Sequence, residues 1–557
     1  MQKILECVPN FSEGINTTII DKIVNSIKKS SKVRVLNVDP GKDTNRTVVT
    51  FIGSPEDVLL SAYESIKVAS DLIEMSAHKG EHPRMGATDV CPLIPIKGIT
   101  EEEAIEYSKE LAFKVSKNLD IPVFLYEKSA SNKSRINLAD IREGEYEGMF
   151  EKIKDPKWRP DFGPAKNHKK AGVTAIGVRN FLIAYNINLN TSEQRIATDI
   201  ALSVREQGRN KRDRNGKFIR DENGIPIKSP GLLKNVKAVG WYLEEYGIAQ
   251  ISMNLTDYSV TSIHKAFEEV RIEARKRGVR VTGSEIVGLV PLDSILSAGL
   301  YYLDQQKSPA GIPEGDIIKI AISSLGLNEI NEFNPIEKIL EYQIVKTNSN
   351  LATKTLTEFA ECVSRKTPTP GGGSVGALAG SMAASLVSMV ANLTTGKKKW
   401  NHLFSQMSAT GLEAQDICTN FIDLIDADSN AYNDVINAYR ESRNFDQVKA
   451  KECIDKALID AIETPKKIME QSSILIDKIG FLLDNGNNNT YSDMGVALEM
   501  IYASFYAGKY NVQINLSDLN NSSIIDSYNE YIASSELIFI EKYNNLKKII
   551  GENFSEK

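Results

Sequence analysis

The chain has 557 residues, too many for one hydrophobic core, so roughly two to four domains are expected. Hydrophobic content of 41% and charged content of 25% are ordinary for a soluble globular protein, and a net charge of −6 gives no basic footprint for nucleic acid. The five cysteines are scattered without a C-x-x-C pair, which excludes a zinc knuckle or a disulfide framework. Together with a start, Met1-Gln-Lys-Ile-Leu-Glu6, that lacks a signal-peptide pattern, they point to a cytoplasmic location.

From residue 1 to about 180, strand-like and helix-like patterns alternate. Val33–Val38 and Arg46–Ile52 read as strands. Ser54-Pro-Glu-Asp opens a helix, with a capping Ser, Pro at the first helical position and acids in the first turn. The stretch Ser76–Leu93 follows, carrying His78, Glu81, His82, Arg84 and Asp89 among Gly80, Pro83, Gly86 and Pro92. That many breakers rule out a helix or strand interior, so the segment reads as an ordered loop anchored by a strand at Val90–Ile96. His78-Lys-Gly-Glu-His82 has the letters of the inverted zincin motif, but that motif needs a helix. Two hydrogen-bonded loop histidines are the plainer alternative. A general base is the third, and His82 is the preferred residue because Pro83 and Arg84 flank it. Thr100 caps a further helix to Leu119, and Ile121–Tyr126 is a strand.

The loop Asp161–Gly172 combines glycines, which allow close backbone approach, with Lys166, His168, Lys169 and Lys170. Val173–Val178 and Phe181–Leu189 read as strands, the second opening another α/β unit. Ser192–Glu206 reads as a helix, and Gly208–Ser229, with Asn215-Gly and Asn223-Gly turn signals, as a surface hairpin insertion. Trp241–Met253 reads as a strand, Val260–Lys276 as a helix and Glu285–Leu292 as a strand. Residues 328–350 read as a linker. The expected division is therefore 1–181 and 182–327 as two α/β sandwich subdomains, then the linker, then 351–557 as an all-α helical bundle.

Within the bundle, Thr367–Val375 contains Gly371, Gly372 and Gly373 at the start of a helix, a ready anion site. A dinucleotide fingerprint would need a preceding strand, and the pattern there is helical. No charge lies between Lys366 and Lys397, a length that spans a bilayer, but the small residues fit a buried helix better. Downstream, Phe421, Leu424, Ile425, Tyr432, Val435 and Tyr439 recur at helical spacing as one apolar stripe. Asp428 falls inside it, with Asp423 and Asp426 opposite, so Asp428 is the candidate acid of raised pKa. A buried Asp satisfied by a helix cap or Lys is the alternative.

Cys7–Gly14, Val38-Asp-Pro-Gly41 with Thr44-Asn-Arg-Thr47, and the His82 loop resemble formiminotransferases. The Thr367–Val375 block resembles formimidoyltetrahydrofolate cyclodeaminases, and the whole chain resembles the bifunctional formimidoyltransferase-cyclodeaminase family of histidine degradation. The resemblance implies transfer of a formimino group from N-formimino-L-glutamate to tetrahydrofolate, then ring closure with loss of ammonia. It assigns folate binding to Gly163, Pro164, Ala165, Lys166, Asn167, His168, Lys169, Lys170, Ala171 and Gly172. It places the Gly371–Gly373 loop at the second folate site and aligns Asp428 with the family's cyclodeaminase acid. His82 then serves as base and acid, Asp39 is expected to orient it, and Arg46 or Arg84 to hold a substrate carboxylate. The co-substrate is expected to be a polyglutamylated tetrahydrofolate, with no metal, nucleic acid or membrane involved, and the assembly a ring-like homo-oligomer. The rival readings are a non-catalytic folate- or anion-binding scaffold with a helical oligomerisation domain, and a bundle-domain amidine hydrolase.

Overall fold

The computed structural model describes residues 3–29, 32–42, 44–80, 82–222, 224–344, 351–444, 446–519 and 521–555. Glu81 and the end of the expected linker lie outside the described residues. By contacts the chain forms two units, Met1–Pro291 with Asn334–Val345, and Leu292–Phe333 with Lys346–Lys557.

The first unit holds two sheets. β1 (Ile4–Cys7), β2 (Asn10–Phe11), β3 (Arg34–Gly41), β4 (Arg46–Gly53), β5 (Thr88–Lys97), β6 (Val123–Glu127) and β7 (Thr174–Val178) form the larger one. β1 and β2 lie end to end between β4 and β5, antiparallel to both, while β7 runs parallel to β5 and β6. Helices Thr17–Lys28, Pro55–Leu72 and Glu101–Leu119 cover one face, burying Ile23, Ile66 and Val115 against Leu5, Phe51 and Leu93. Their starts follow from local chemistry. Ser54 accepts from Asp57 N–H, and Thr100 with Glu103 closes a capping box. Short helices Leu138–Arg142 and Glu145–Lys152 add Ile141 and Met149 to a second cluster with Phe124 and Tyr126.

β8 (Ile183–Leu189), the two-residue pair β9 (Arg209–Asn210) and β10 (Lys228–Ser229), then β11 (Val236–Leu243), β12 (Ile248–Leu255) and β13 (Val281–Val287) follow. The second sheet has the order β11-β12-β8-β13, all antiparallel. The single strand expected at Trp241–Met253 is in fact a hairpin, because residues 244–247 turn the chain between β11 and β12. The strand expected at Glu285–Leu292 ends at Val287, and Leu292 already starts a helix. Part of the expected linker is ordered, with short helices at Pro335–Lys338 and Leu340–Ile344 and a bridge from Ile339 to Val290.

The second unit is all-helical. Gly372–Thr394, Phe404–Glu441, Gln447–Asn485, Tyr491–Leu516 and Ser522–Ser555 form the bundle, joined by Leu292–Gln305 and Glu314–Leu325. Gly372–Thr394 is the described helix long and apolar enough to cross a membrane, yet 61% of its apolar window is buried inside the protein. Its small residues explain that burial. A Cβ at Gly376 would stand 2.4 Å from Ala507 Cβ, and one at Gly380 would stand 2.5 Å from the Phe421 ring. The helix is central because neighbouring backbones can approach it closely.

Candidate active sites

The loop between Pro55–Leu72 and β5 is held by backbone contacts on two sides. Asn45 Nδ2 donates to Lys79 O at 2.8 Å, and a Cβ at Gly80 would fall 2.4 Å from Thr44 O. On the other side Met75 N–H donates to Lys170 O at 2.9 Å, Ala87 N–H to Ala171 O at 2.8 Å and Val173 N–H to Met85 O at 3.0 Å. The expected folate loop and the histidine loop are therefore one structure. Gly172 has φ +70°, and a Cβ there would lie 2.3 Å from Met85 O, so the close approach it permits is to the histidine loop's backbone.

His82 Nδ1 bonds the Pro83 carbonyl at 2.7 Å, and Nε2 is bonded by an Arg46 Nη1 donor. A carbonyl can only accept, so Nδ1 carries the proton and Nε2 presents its lone pair. Burial, then the Arg46 charge, lowers the His82 pKa, which keeps the ring neutral near pH 7. Asp39, expected to orient His82, lies exposed on β3 and acts by charge on Arg46; the Pro83 carbonyl fixes the tautomer instead. Arg142 and Asp89, which sequence reasoning gave no role, complete the setting. Arg142 Nη2 meets Asp89 Oδ2 at 2.5 Å, and Asp89 Oδ1 accepts from Met85 N–H at 2.9 Å. Nothing local to Arg142 could have flagged it, since it comes from a short helix 60 residues downstream of His82.

Arg84 does not touch His82 but closes a separate network. Its donors go to Glu145 at 2.8 Å, to both oxygens of Glu147 at 2.9 and 2.8 Å, to His78 O at 3.1 Å and to His78 Nδ1 at 3.3 Å. All five guanidinium N–H groups are engaged, so Arg84 has none left for a substrate. His78 Nε2 meets Asn45 O at 3.0 Å, and both its nitrogens are occupied. His78–Gly80 and His82 are irregular rather than helical, and each imidazole is met by an arginine.

In the loop Gly163–Gly172, several side chains brace the loop, internally or against the neighbouring helices. His168 Nδ1 accepts from Ala171 N–H at 2.9 Å, Lys170 Nζ donates to Asp71 O at 2.5 Å, and Lys166 pairs with Asp120 at 3.7 Å. Asn167 donates to Tyr146 O at 3.2 Å, while its buried Oδ1 has no partner.

In the second unit the glycine loop and Asp428 come together. Helix Gly372–Thr394 starts at Gly371, which has no side chain to cap it. Asp428, from helix Phe404–Glu441, supplies the cap: its Oδ2 accepts from Ser374 N–H at 2.9 Å and from Ser374 Oγ at 3.1 Å. Ser374 Oγ also contacts Ile425 O at 2.8 Å and Ser429 Oγ at 3.2 Å. A Cβ at Gly373 would stand 2.0 Å from Asp428 Oδ1, whereas Gly371 and Gly372 have nothing nearer than 3.7 and 3.5 Å. The anion at this helix start is thus the protein's own carboxylate. Burial raises the Asp428 pKa, and the Ser374 hydroxyl and N–H pull it back down.

Burial along the Asp428 stripe differs partly from the sequence pattern. Phe421, Leu424 and Ile425 are buried, but Tyr432 and Tyr439 are 40% and 42% exposed, and the buried face continues through Ser429 and Ala438. At about 100° per residue Tyr439 keeps the azimuth of Phe421 and Tyr432 falls between Phe421 and Ile425, so the stripe holds its phase and what changes at the tyrosines is the cover over it. Asp426, expected on an uninvolved face, accepts from Leu351 N–H at 2.7 Å and Ala352 N–H at 3.3 Å and so anchors the segment entering the bundle.

A neutral imidazole flanked by guanidinium groups in one unit, and a capped, half-buried carboxyl in the other, mark a protein with two candidate sites of different chemistry. The comparisons say which. The chain belongs to the formiminotransferase-cyclodeaminase family: models described as formiminotransferase domain, N-terminal subdomain, formiminotransferase domain, and formiminotransferase-cyclodeaminase match residues 4–179, 184–345 and 355–534. The formimidoyltransferase-cyclodeaminase of Dictyostelium discoideum is 41% identical over 531 residues, 95% of each chain. That of Mus musculus is 39% identical over 539 residues, 96% of each chain. The glutamate formimidoyltransferase of Streptococcus pyogenes serotype M1 is 43% identical over 303 residues, covering 54% of this chain and 94% of its own.

Proposed function

We propose that this protein is a bifunctional, folate-dependent enzyme of histidine degradation. The first unit transfers the formimino group of N-formimino-L-glutamate to N5 of tetrahydrofolate, giving glutamate and 5-formiminotetrahydrofolate. The second closes this intermediate to 5,10-methenyltetrahydrofolate and ammonia. The observation that carries the reading is the pairing of two unlike proton carriers in one chain, His82 with its Nε2 lone pair turned to Arg46 in the first unit and Asp428 seated on Ser374 at a helix start in the second.

In the transfer, N5 attacks the formimino carbon and a new N–C bond forms. His82 Nε2 takes the N5 proton and returns it to the glutamate nitrogen as the old C–N bond breaks. In the second step N10 attacks the same carbon and its proton passes to the former imino nitrogen; Asp428 supplies one further proton, so that the C–N bond breaks with ammonia, not an amide anion, leaving. The loop Gly163–Gly172 serves as the folate seat beside His82, chiefly through its backbone. The co-substrate is tetrahydrofolate carrying a polyglutamate tail, and the protein works in the cytoplasm as a ring-like homo-oligomer. The stripe Val375, Met382, Met389 and Leu393 on Gly372–Thr394 is 41%, 40%, 36% and 48% exposed and supports association through the bundle.

The test is to mix the protein with formiminoglutamate and tetrahydrofolate and follow the methenyl product by absorbance. Product with ammonia release is expected. A non-catalytic scaffold gives no product, and an amidine hydrolase releases ammonia without folate.

A further inference from the structure

The arrangement around His82 has an unused capacity. Arg46 occupies the Nε2 lone pair that a general base must expose. Its own Nε, and that of Arg142, are buried without an acceptor. An uncompensated buried N–H costs free energy, so two such donors near one imidazole point to an acceptor that arrives with the ligand. The charged groups acting on His82 are Arg46 from β4, Arg142 from helix Leu138–Arg142 and Asp89 from β5. Asp39 of β3 acts on Arg46, and Arg84 of the same loop is neutralised by Glu145 and Glu147. Two cations against one buried anion leave positive charge that an anionic ligand would balance.

Building on the transfer reading, we propose that Arg46 and Arg142 form a seat for a substrate carboxylate, and that filling it draws Arg46 off His82 and frees the base. Arg46 is a gate as well as a clamp: without substrate it holds the lone pair, and with substrate it turns to the carboxylate. The seat takes a carboxylate with bidentate geometry, which a guanidinium matches and an ammonium does not. The amino-acid donor and the glutamate end of the folate both carry that group. Losing Arg46 as a donor to the neutral ring, and gaining an anion nearby, both favour protonation of His82. His82 is thereby brought back toward the ordinary imidazole range, where most rings stay neutral and able to act as base at pH 7 while a fraction takes up a proton, so carboxylate binding is linked to partial proton uptake by the protein.

The test is calorimetric titration of the full chain in buffers of different ionisation enthalpy, which counts protons taken up on binding. L-Glutamate and 5-formyltetrahydrofolate are titrated separately, and neither requires turnover. Proton uptake with L-glutamate, lost in His82→Ala, supports the seat with the donor's carboxylate as occupant. Uptake with 5-formyltetrahydrofolate alone supports it with the folate's carboxylate. Arg46→Gln and Arg142→Gln are each expected to weaken binding of the responsible ligand about 10- to 100-fold, the loss usual for a charge-assisted hydrogen bond. Binding without uptake by the wild-type protein, or no binding of either ligand, overturns the proposal. Failure of the transfer reading shows separately, as an absence of methenyl product in the coupled assay.

Discussion

Replacing Gly373 by Ala tests the seat of Asp428 directly. The added Cβ would stand 2.0 Å from Oδ1 and 2.5 Å from Cγ of Asp428, so the carboxyl must move away. Two hydrogen bonds from Ser374, at 2.9 and 3.1 Å, are then lost. Each bond to a charged group contributes about 1.5–3 kcal/mol, and water reaching the displaced, half-buried carboxyl restores part of that. Ala is also better than Gly inside a helix by about 1 kcal/mol. The net cost is about 1–2 kcal/mol, well below the about 5–15 kcal/mol that holds a domain folded. The catalytic cost is larger, because an acid displaced by about 1 Å loses about 100-fold in rate. Cyclisation of supplied 5-formiminotetrahydrofolate, read as methenyl absorbance, should fall by that factor while release of glutamate from formiminoglutamate is unchanged. Gly315→Ala is the control, since it too is the second residue of a helix and an added Cβ there would meet nothing within 4 Å. If the Gly373→Ala protein cyclised within about threefold of wild type, a difference of under 1 kcal/mol in barrier, the seating of Asp428 and its role would both be wrong.

His82→Ala should abolish transfer and leave cyclisation of supplied 5-formiminotetrahydrofolate intact; loss of both activities in a folded variant would refute the division of labour. Asp428→Asn should stop ammonia release, so that 5-formiminotetrahydrofolate accumulates in the coupled assay. The same variant carries a stability signature. Burial raises the Asp428 pKa above 3.8, so the folded state holds this proton more tightly than the unfolded chain, and stability from this group is lost as pH rises through the folded value. Asp428→Asn should therefore melt at or above wild type near neutral pH, the gap closing as pH falls below about 4, and a variant less stable at pH 7 would contradict it. Met382→Glu with Met389→Glu should dissociate the assembly in sedimentation; a wild-type protein that sediments as a monomer would remove the basis for the stripe's role.

Most of the fold was legible in order along the chain because its signals are local. Ser54 and Thr100 are caps whose side chains meet donors three residues away, and each helix they begin lies where the pattern places it. Alternation likewise located β3 to β8 to within a few residues. The errors arose where the local signal was ambiguous: an apolar run from Trp241 to Met253 does not reveal the turn inside it, and the apolar run into Leu292 does not reveal where strand gives way to helix. For the sites, sequence alone singled out the types of residue able to do the chemistry, His82 and Asp428, because breakers mark an ordered loop and periodicity marks a face. Tertiary structure decided their partners. Arg46 rather than Asp39 meets His82, Arg84 turns away to Glu145 and Glu147, Arg142 arrives from a distant helix, and Asp428 caps a helix whose own start, Gly371, cannot. The reason is physical: a cap or a helical period is set by groups within a few residues, whereas the pKa and reach of a side chain depend on whichever charges and donors the fold brings within a few ångströms, from positions that carry no mark in the sequence.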